Sequence, residues 1–315
     1  MADGTTTVSA QALREFAPTI RRSGLKRFTQ RRSTIAVVMC LPLICLIAGL
    51  VVYPFFYSIY LSMLNRAATR FIGLFNYRYL LNSDTFNLVV FQSCFFAITA
   101  VFFKALIGFI LAHVMHNISG KDQKIWRGLL LIPWVIPPAL STLGWWWMLS
   151  GNYSAVNWIL GQFGIHPVAW LANTWWARIW VVAVNVWFGT PFFMIMYLAT
   201  LKSVPEQLYE AAAIDGATWL QKIRFISLPM LRNIISITVL FSLIVTFANF
   251  DIVEILTAGA PANTTHVFAT YAFQLGIQSG NIPLGASVSL FIFPILAIFS
   301  IFILRGVGRR AREGI

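Results

Sequence analysis

The chain is 315 residues long, 58% hydrophobic and only 10% charged. Soluble domains carry about 25% charged residues and need a polar surface, so a soluble globular enzyme and a disordered chain are both excluded. The 23 Lys+Arg against 10 Asp+Glu leave a formal net charge of +13, and in an apolar chain the informative question is where those charges fall.

A bilayer core of about 30 Å takes roughly 20 apolar residues as helix. Six stretches meet that requirement, at 34–63, 86–115, 125–149, 177–200, 234–256 and 283–304. Barrel strands are shorter, about 10 residues, and alternate in polarity, so the expected fold is an all-α polytopic membrane protein.

A basic tail, 1–33, precedes the first span, and its run from Arg21 to Arg32 suits an anchor on anionic lipid headgroups. The first span holds Pro42 and Pro54. The three cysteines, Cys40, Cys45 and Cys94, lie in apolar runs without metal-type spacing, and we read them as small hydrophobic core residues. Lys104 is an intramembrane cation in the second span that either snorkels to an interface or pairs with a neighbouring subunit. The third span carries Pro133 and Pro137-Pro138, the fourth Pro191 and the sixth Pro294; each removes a backbone donor and can bend its helix. The third loop is bracketed by Trp145, Trp146, Trp147, Trp158, Trp170, Trp175, Trp176 and Trp180, either as an interfacial aromatic belt or as a short re-entrant helix lining an outer vestibule. On the fifth span Thr238, Ser242, Thr246 and Asn249 recur at spacings that place them within an arc of roughly 80°. This polar stripe serves either interhelical hydrogen bonds or a solute pathway. Asp251 and Glu254, three apart near the outer end of the same span, read as a solvated or salt-bridged pair. His113, His116, His166 and His266 have no metal-ligand partner at useful spacing, so no metal is assigned.

Eighteen of the 23 basic residues fall in the N-terminal tail, the second and fourth connections and the C-terminal end, where Arg305 directly precedes the tail 306–315. The third and fifth loops contain no Lys or Arg. The positive-inside rule therefore places both termini in the cytoplasm and removes any need for a nucleic-acid partner.

No phosphate-cradling G-x-x-x-x-G-K-[ST] loop, no G-x-S-x-G elbow and no H-E-x-x-H is present. The fourth connection, 202–229, is nevertheless long and patterned. From Glu206 to Ile214 it reads as a helix, with Pro205 at its start, acid in its early turns and Gly216 as its stop. Leu208, Ala211, Ala212 and Ile214 form a small smooth ridge suited to docking in a partner's groove.

That connection contains Glu210-Ala211-Ala212, then Gly216, then Ile226-Ser227-Leu228-Pro229. It resembles the EAA loop of permease subunits in binding-protein-dependent ABC importers, with no departure in spacing. Phe71-Ile72-Gly73-Leu74-Phe75-Asn76-Tyr77, Pro133-Trp134-Val135-Ile136-Pro137-Pro138 and Pro167-Val168-Ala169-Trp170-Leu171 resemble segments of the sugar-importing, maltose/trehalose branch. The resemblance runs from about residue 34 to the C-terminus. It implies the type I importer permease (MetI-like) fold over 34–305. It also implies that Glu210, Ala211, Ala212, Asp215 and Gly216 contact an ATPase subunit, and that Phe188, Gly189, Phe192, Ser242, Thr246 and Asn249 line the sugar pathway. Relative to that family Phe stands for Leu and Tyr on the fourth span and Thr246 for an Asn.

The expected function is the permease subunit of an ATP-driven importer of a disaccharide, with trehalose as the named sugar, in a bacterial plasma membrane. The expected partners are a second permease, two ATP-binding subunits carrying ATP and Mg, an extracytoplasmic solute-binding protein and membrane lipid; the chain itself is not an enzyme and binds no cofactor. Two other classes of function fit the residues less well. An ion-gradient-driven secondary transporter needs a carboxylate relay, which Lys104, Asp251 and Glu254 make poorly. A membrane-embedded transferase needs a catalytic carboxylate or metal cluster, and the third and fifth outer loops contain no Asp, Glu, Lys or Arg.

Overall fold

The computed structural model describes residues 32–118, 120–151 and 154–312, with side chains from 36 to 305 within those ranges. The lipid-anchor reading of the N-terminal tail falls on residues whose side chains lie outside this description. The described chain divides after Tyr57 into two units. The first is the leading part of helix α1 (Ala36–Ser62), which is continuous through a π-helical turn at Ala48–Val52. Every side chain from Ala36 to Tyr57 is exposed, including Cys40 and Cys45. These two cysteines are therefore not core residues as expected; an all-apolar helix offers no amphipathic pattern that would say which face is covered.

From Ser58 onward the chain forms a helical bundle. The elements are α2 (Phe75–Leu81), α3 (Asp84–Asn117), α4 (Gly120–Val135), α5 (Pro138–Leu149), α6 (Ala155–Gln162) and α7 (Thr174–Leu201). They continue with α8 (Glu206–Ile214), α9 (Trp219–Phe247), α10 (Asp251–Leu256), α11 (Phe268–Phe273), α12 (Ile282–Leu290) and α13 (Ile292–Arg312). Among the described residues the only β pairing is one isolated bridge, Leu64 with Phe71.

Among the described residues five helices are long and apolar enough to cross a membrane: α1, α3, α7, α9 and the joined α12–α13 over Ile282–Arg305. The expected third span is not one straight helix. α4 and α5 meet at an 89° bend, because Pro137 and Pro138 both lack an N–H and Pro137 adopts an extended ψ of 133°. The pair makes a sixth span only if the bent unit is counted as one. The expected fifth span is also corrected. α9 begins at Trp219, on the loop side of the predicted start, and ends at Phe247. Asn249 and Asp251 are weak helix formers that favour ends and first turns. The chain breaks there, and Asp251 opens the separate helix α10.

Local signals set the helix ends. Ser83 caps α3 by accepting from the Phe86 N–H at 3.4 Å. Asn173 caps α7 by accepting from Trp175 and Trp176 N–H groups at 3.0 and 3.3 Å. α3 packs along α7, the most extensive helix pair in the fold. One core runs the length of α3, from Phe86 and Val89 with Phe268 of α11 to Ala112 and Met115 with Tyr197 and Leu201 of α7. A second gathers Phe96, Leu149, Trp170, Val181 and Ile252 toward the end of the bundle away from α8. Cys94 sits half-buried against the first core.

The tryptophans of the third loop divide between the two readings. Trp170 is 8% exposed. It packs edge-on against Trp176 and Trp180, with ring centres 5.0 and 5.9 Å away, and donates from Nε1 to Asn157 Oδ1 of α6 at 2.9 Å. α6 is thus a short loop helix locked to an aromatic cluster. Trp147, Trp158 and Trp175 remain exposed, as an interfacial belt requires.

Candidate functional site

The predicted pathway residues other than Asn249 lie on α7 and α9, which pack against each other and against α3. Their meeting point is a residue the sequence reading did not place among them. Lys104 of α3 is 4% exposed, and its ammonium donates to Thr246 Oγ1 of α9 at 2.9 Å. Its stem lies over Gly189 of α7, where any Cβ would collide with Lys104 Cδ. Three helices therefore converge on one cation. It neither snorkels nor pairs with a carboxylate among the described residues. A single hydroxyl meets one of three ammonium donors, so Lys104 keeps unspent hydrogen-bonding capacity inside the span.

Around this point Thr238, Ser242 and Thr246 occupy one buried face of α9. Thr238 Oγ1 bonds back to Ile234 O at 2.6 Å. Asn249 is not part of that stripe: it lies past the C-terminal end of α9, with its Oδ1 buried and unpartnered. On α7, Asn185 is buried one turn before Gly189 and its Oδ1 also lacks a partner. Phe188 and Phe192 are half-buried one turn apart on the same helix. The Phe192 ring faces Phe241 of α9 at 5.4 Å and Trp134 of α4 at 6.0 Å. The arrangement supplies neutral hydrogen-bonding groups, aromatic faces and one cation.

Neither Asp251 nor Glu254 forms a salt bridge with a cation among the described residues. Asp251 is exposed, and Glu254 accepts from Gln278 Nε2 at 3.5 Å.

The second predicted site is the loop built around α8. Pro205 precedes its first turn and Glu206 suits that turn electrostatically. At its end Gly216 adopts φ +74°. The Ala217 N–H reaches Ala212 O at 2.9 Å and the Gly216 N–H reaches Ala213 O at 3.1 Å. This paired closure requires a left-handed residue, which glycine adopts without a Cβ penalty. Thr218 then opens α9 through a reciprocal cap with Gln221. Glu210, Ala211, Asp215 and Gly216 are exposed and Ala212 is half-buried. Ile214 at the tip is 86% exposed, and Trp219, Leu220 and Phe225 extend the apolar surface onto α9. Tyr209, which sequence reasoning passed over, turns inward, its hydroxyl 2.9 Å from Ser227 Oγ, and so ties α8 to the first turns of α9.

Five or six apolar spans, a buried polar junction between three of them and an exposed helix–turn unit between the fourth and fifth define a membrane permease subunit. The chain belongs to the family of binding-protein-dependent transport system inner membrane components, which it matches over residues 104–312. It is 31% identical over 288 residues to the trehalose/maltose transport system permease protein MalF of Thermococcus litoralis, covering 90% of this chain and 96% of that protein. It is 32% identical over 292 residues to a probable ABC transporter permease protein of Sinorhizobium fredii, covering 90% and 94%. Among solved structures the fold resembles a subunit of a bacterial ABC transporter that imports the acidic polysaccharide alginate, with TM-score 0.74, 24% identity and coverage of 90% and 98%. It also resembles, more distantly, the MetNI methionine ABC transporter, with TM-score 0.52, 18% identity and coverage of 73% and 96%. Family membership sets aside both the ion-driven transporter and the membrane transferase.

Proposed function

We propose that the chain is the permease subunit of an ATP-driven sugar importer of the maltose/trehalose type, with a disaccharide such as trehalose as solute. It forms half of a pathway completed by a second permease. Both termini face the cytoplasm, where two ATP-binding subunits carry ATP and Mg. A solute-binding protein delivers sugar from the other side; one of the resembling structures is described with such a protein bound to alginate pentasaccharide.

The observation that carries this reading is the exposed α8 unit, with Glu210, Ala211, Asp215 and Gly216 presented outward in a chain whose relatives are importer permeases. ATP-driven closure of the ATPase pair would move α8, and the motion would reach the pathway through α9, which continues from the loop to Thr246. The two permease halves then rock about the solute site, an alternating-access cycle whose energy comes from the partner. Phe188, Gly189, Phe192, Ser242, Thr246 and Asn249 are assigned to the sugar, with hydroxyl and amide groups for its oxygens and rings for its C–H faces.

The test is to purify the chain with the subunits it assembles with and measure labelled trehalose and maltose uptake in vesicles. An ATPase should co-elute, and uptake should stop when that ATPase is inactivated. Uptake that persists overturns the reading.

A further inference from the structure

The Lys104–Thr246 hydrogen bond crosses a boundary between unequally packed helices. α3 and α7 lie along each other, while α9 meets each of them over a much shorter stretch. Two close approaches fix the register of α3 on α7. A Cβ on Gly189 would strike Lys104 Cδ, and a Cβ on Gly108 would fall 2.5 Å from Phe193 Cβ. From the first contact to the second both helices advance by four residues, so they run in the same direction in one register. One turn earlier that register sets Asn185 of α7 opposite Ala100 of α3. Ala100 is fully buried and Asn185 is 4% exposed, and the small methyl leaves room for the longer amide between the helices.

Asn185 Oδ1 is buried and has no partner. A buried acceptor in that state costs free energy until a donor reaches it. Surplus donors stand at the same junction, because the Lys104 ammonium has three and spends one on Thr246. Its Nζ lies 3.4 Å from the point a Gly189 Cβ would occupy. Cβ positions one turn apart on a helix are about 5–6 Å apart, so Asn185 is the next side chain along the face of α7 that the lysine already covers. Long side chains on a helix lean back toward its N-terminus, and in this parallel pair that direction leads from Gly189 to Asn185. The orphan acceptor and the surplus donors are both buried, so neither needs an opening to solvent to meet the other.

We propose that Lys104 is a two-position latch. In the conformation described here it holds α9 through Thr246; when α9 draws away, it swings within the α3–α7 pair onto Asn185 Oδ1. Asn185 is thereby a positioning residue of the transport cycle. The swing needs only rotation about the lysine stem, because the register of α3 on α7 is unchanged. It keeps the ammonium partnered in both states and, in the second, frees the Thr246 hydroxyl for the solute. The inference rests on the ATP-driven reading above, since α9 follows directly on the α8 unit and moves with it.

The test uses the complete importer in nanodiscs with vanadate and subsaturating ATP. The readout is the ratio of nucleotide-trapped to untrapped complex. A hydrogen bond from a charged donor shifts an equilibrium by about tenfold or more. Thr246→Val removes the first partner and should raise the ratio about tenfold; Asn185→Leu removes the second and should lower it about tenfold. In a Lys104→Met background neither substitution should move the ratio, since both act through the ammonium. A purely structural Asn185 would keep its effect there. A ratio that Asn185→Leu fails to lower, or that Thr246→Val fails to raise, overturns the proposal, and so does an effect that persists without the lysine. If Asn185→Leu does not assemble, Asn185→Asp serves in its place. A carboxylate at the second position should raise the ratio at least about tenfold while Lys104 is present, and no rise overturns the latch. Wild-type trapping that is blind to these variants overturns the latch alone; a wild-type complex that traps no nucleotide overturns the ATP-driven reading with it.

Discussion

Lys104 Nζ lies 2.9 Å from Thr246 Oγ1, joining α3 to α9 across 142 positions of sequence. One neutral hydrogen bond returns little of the cost of burying an ammonium, and an isolated intramembrane cation marks function more often than stability. Lys104→Met keeps the stem and removes the charge. The variant should fold and assemble with an unfolding midpoint at or above that of the wild type. Sugar uptake should fall by about tenfold, equivalent to ~1.4 kcal/mol of lost interaction with the solute. Vesicle uptake beside a melting curve checks this, and a variant that transports normally would make Lys104 a purely structural tether.

Gly189 faces the same side chain from α7. Adding a methyl there places a Cβ against Lys104 Cδ, so Gly189→Ala must displace the lysine stem or push α3 from α7. The single variant should lose uptake by roughly the same tenfold factor as Lys104→Met. In Lys104→Ala/Gly189→Ala the obstruction is gone, and against the single variants Lys104→Ala and Gly189→Ala the two effects should be non-additive by about 0.5–3 kcal/mol. A double-mutant cycle on uptake and on thermal stability measures that coupling; strict additivity would show that the clash is relieved elsewhere.

How far the sequence reached is visible in these two sites. α8 was legible because its punctuation is local: Pro205 starts it, Gly216 stops it, and the helix occupies Glu206–Ile214 as read. The apolar spans were legible because length and hydropathy are local as well. The Lys104–Gly189–Thr246 junction was not, since its members come from three helices and nothing in any one helix says which residue it meets. Prolines were only half informative. Pro191 lies inside a continuous α7, whereas Pro137-Pro138 turns the chain by 89°; a lone proline removes one donor, while a second proline pushes the first out of the helical region. The polar stripe on α9 was overextended by one residue, because periodicity continues through Asn249 although the helix ends before it.

Gly216 tests the coupling role. At φ +74° a side chain costs about 1–2 kcal/mol in a left-handed conformation. Gly216→Ala should loosen the closure between Ala212 and Ala217 without unfolding the spans. Glu210→Gln changes the exposed face of α8 and leaves its backbone alone. Both variants should assemble, yet ATP hydrolysis should no longer track sugar uptake. The ratio of uptake to hydrolysis is the readout, and wild-type ratios in both variants would remove α8 from the coupling path.

Tyr209 separates coupling from docking. Its hydroxyl bonds to Ser227 at the start of α9, while the docking face points outward. Tyr209→Phe deletes only that bond, a change of about 1 kcal/mol. The ATPase should still co-purify in full amount, but the uptake-to-hydrolysis ratio should fall. Loss of co-purification instead would show that Tyr209 shapes the docking face.

His266 gives a pH dependence on the opposite side of the bundle, in the loop between α10 and α11. Burial pushes its pKa down to about 4, against an unfolded value near 6.5. The ring is 2% exposed, sits over Gly259 and meets Thr270 Oγ1 at 3.0 Å through Nδ1. With the folded pKa depressed, the unfolded chain binds the extra proton first between those values, so stability rises with pH there. The contribution of neutral His266 is complete above about pH 6.5 and is lost as pH falls toward 4. His266→Gln keeps a polar partner for Thr270 but cannot titrate in this range. The wild-type melting temperature should drop between pH 6.5 and 4 by more than that of the variant, and parallel curves would mean the imidazole is already hydrated in the folded loop.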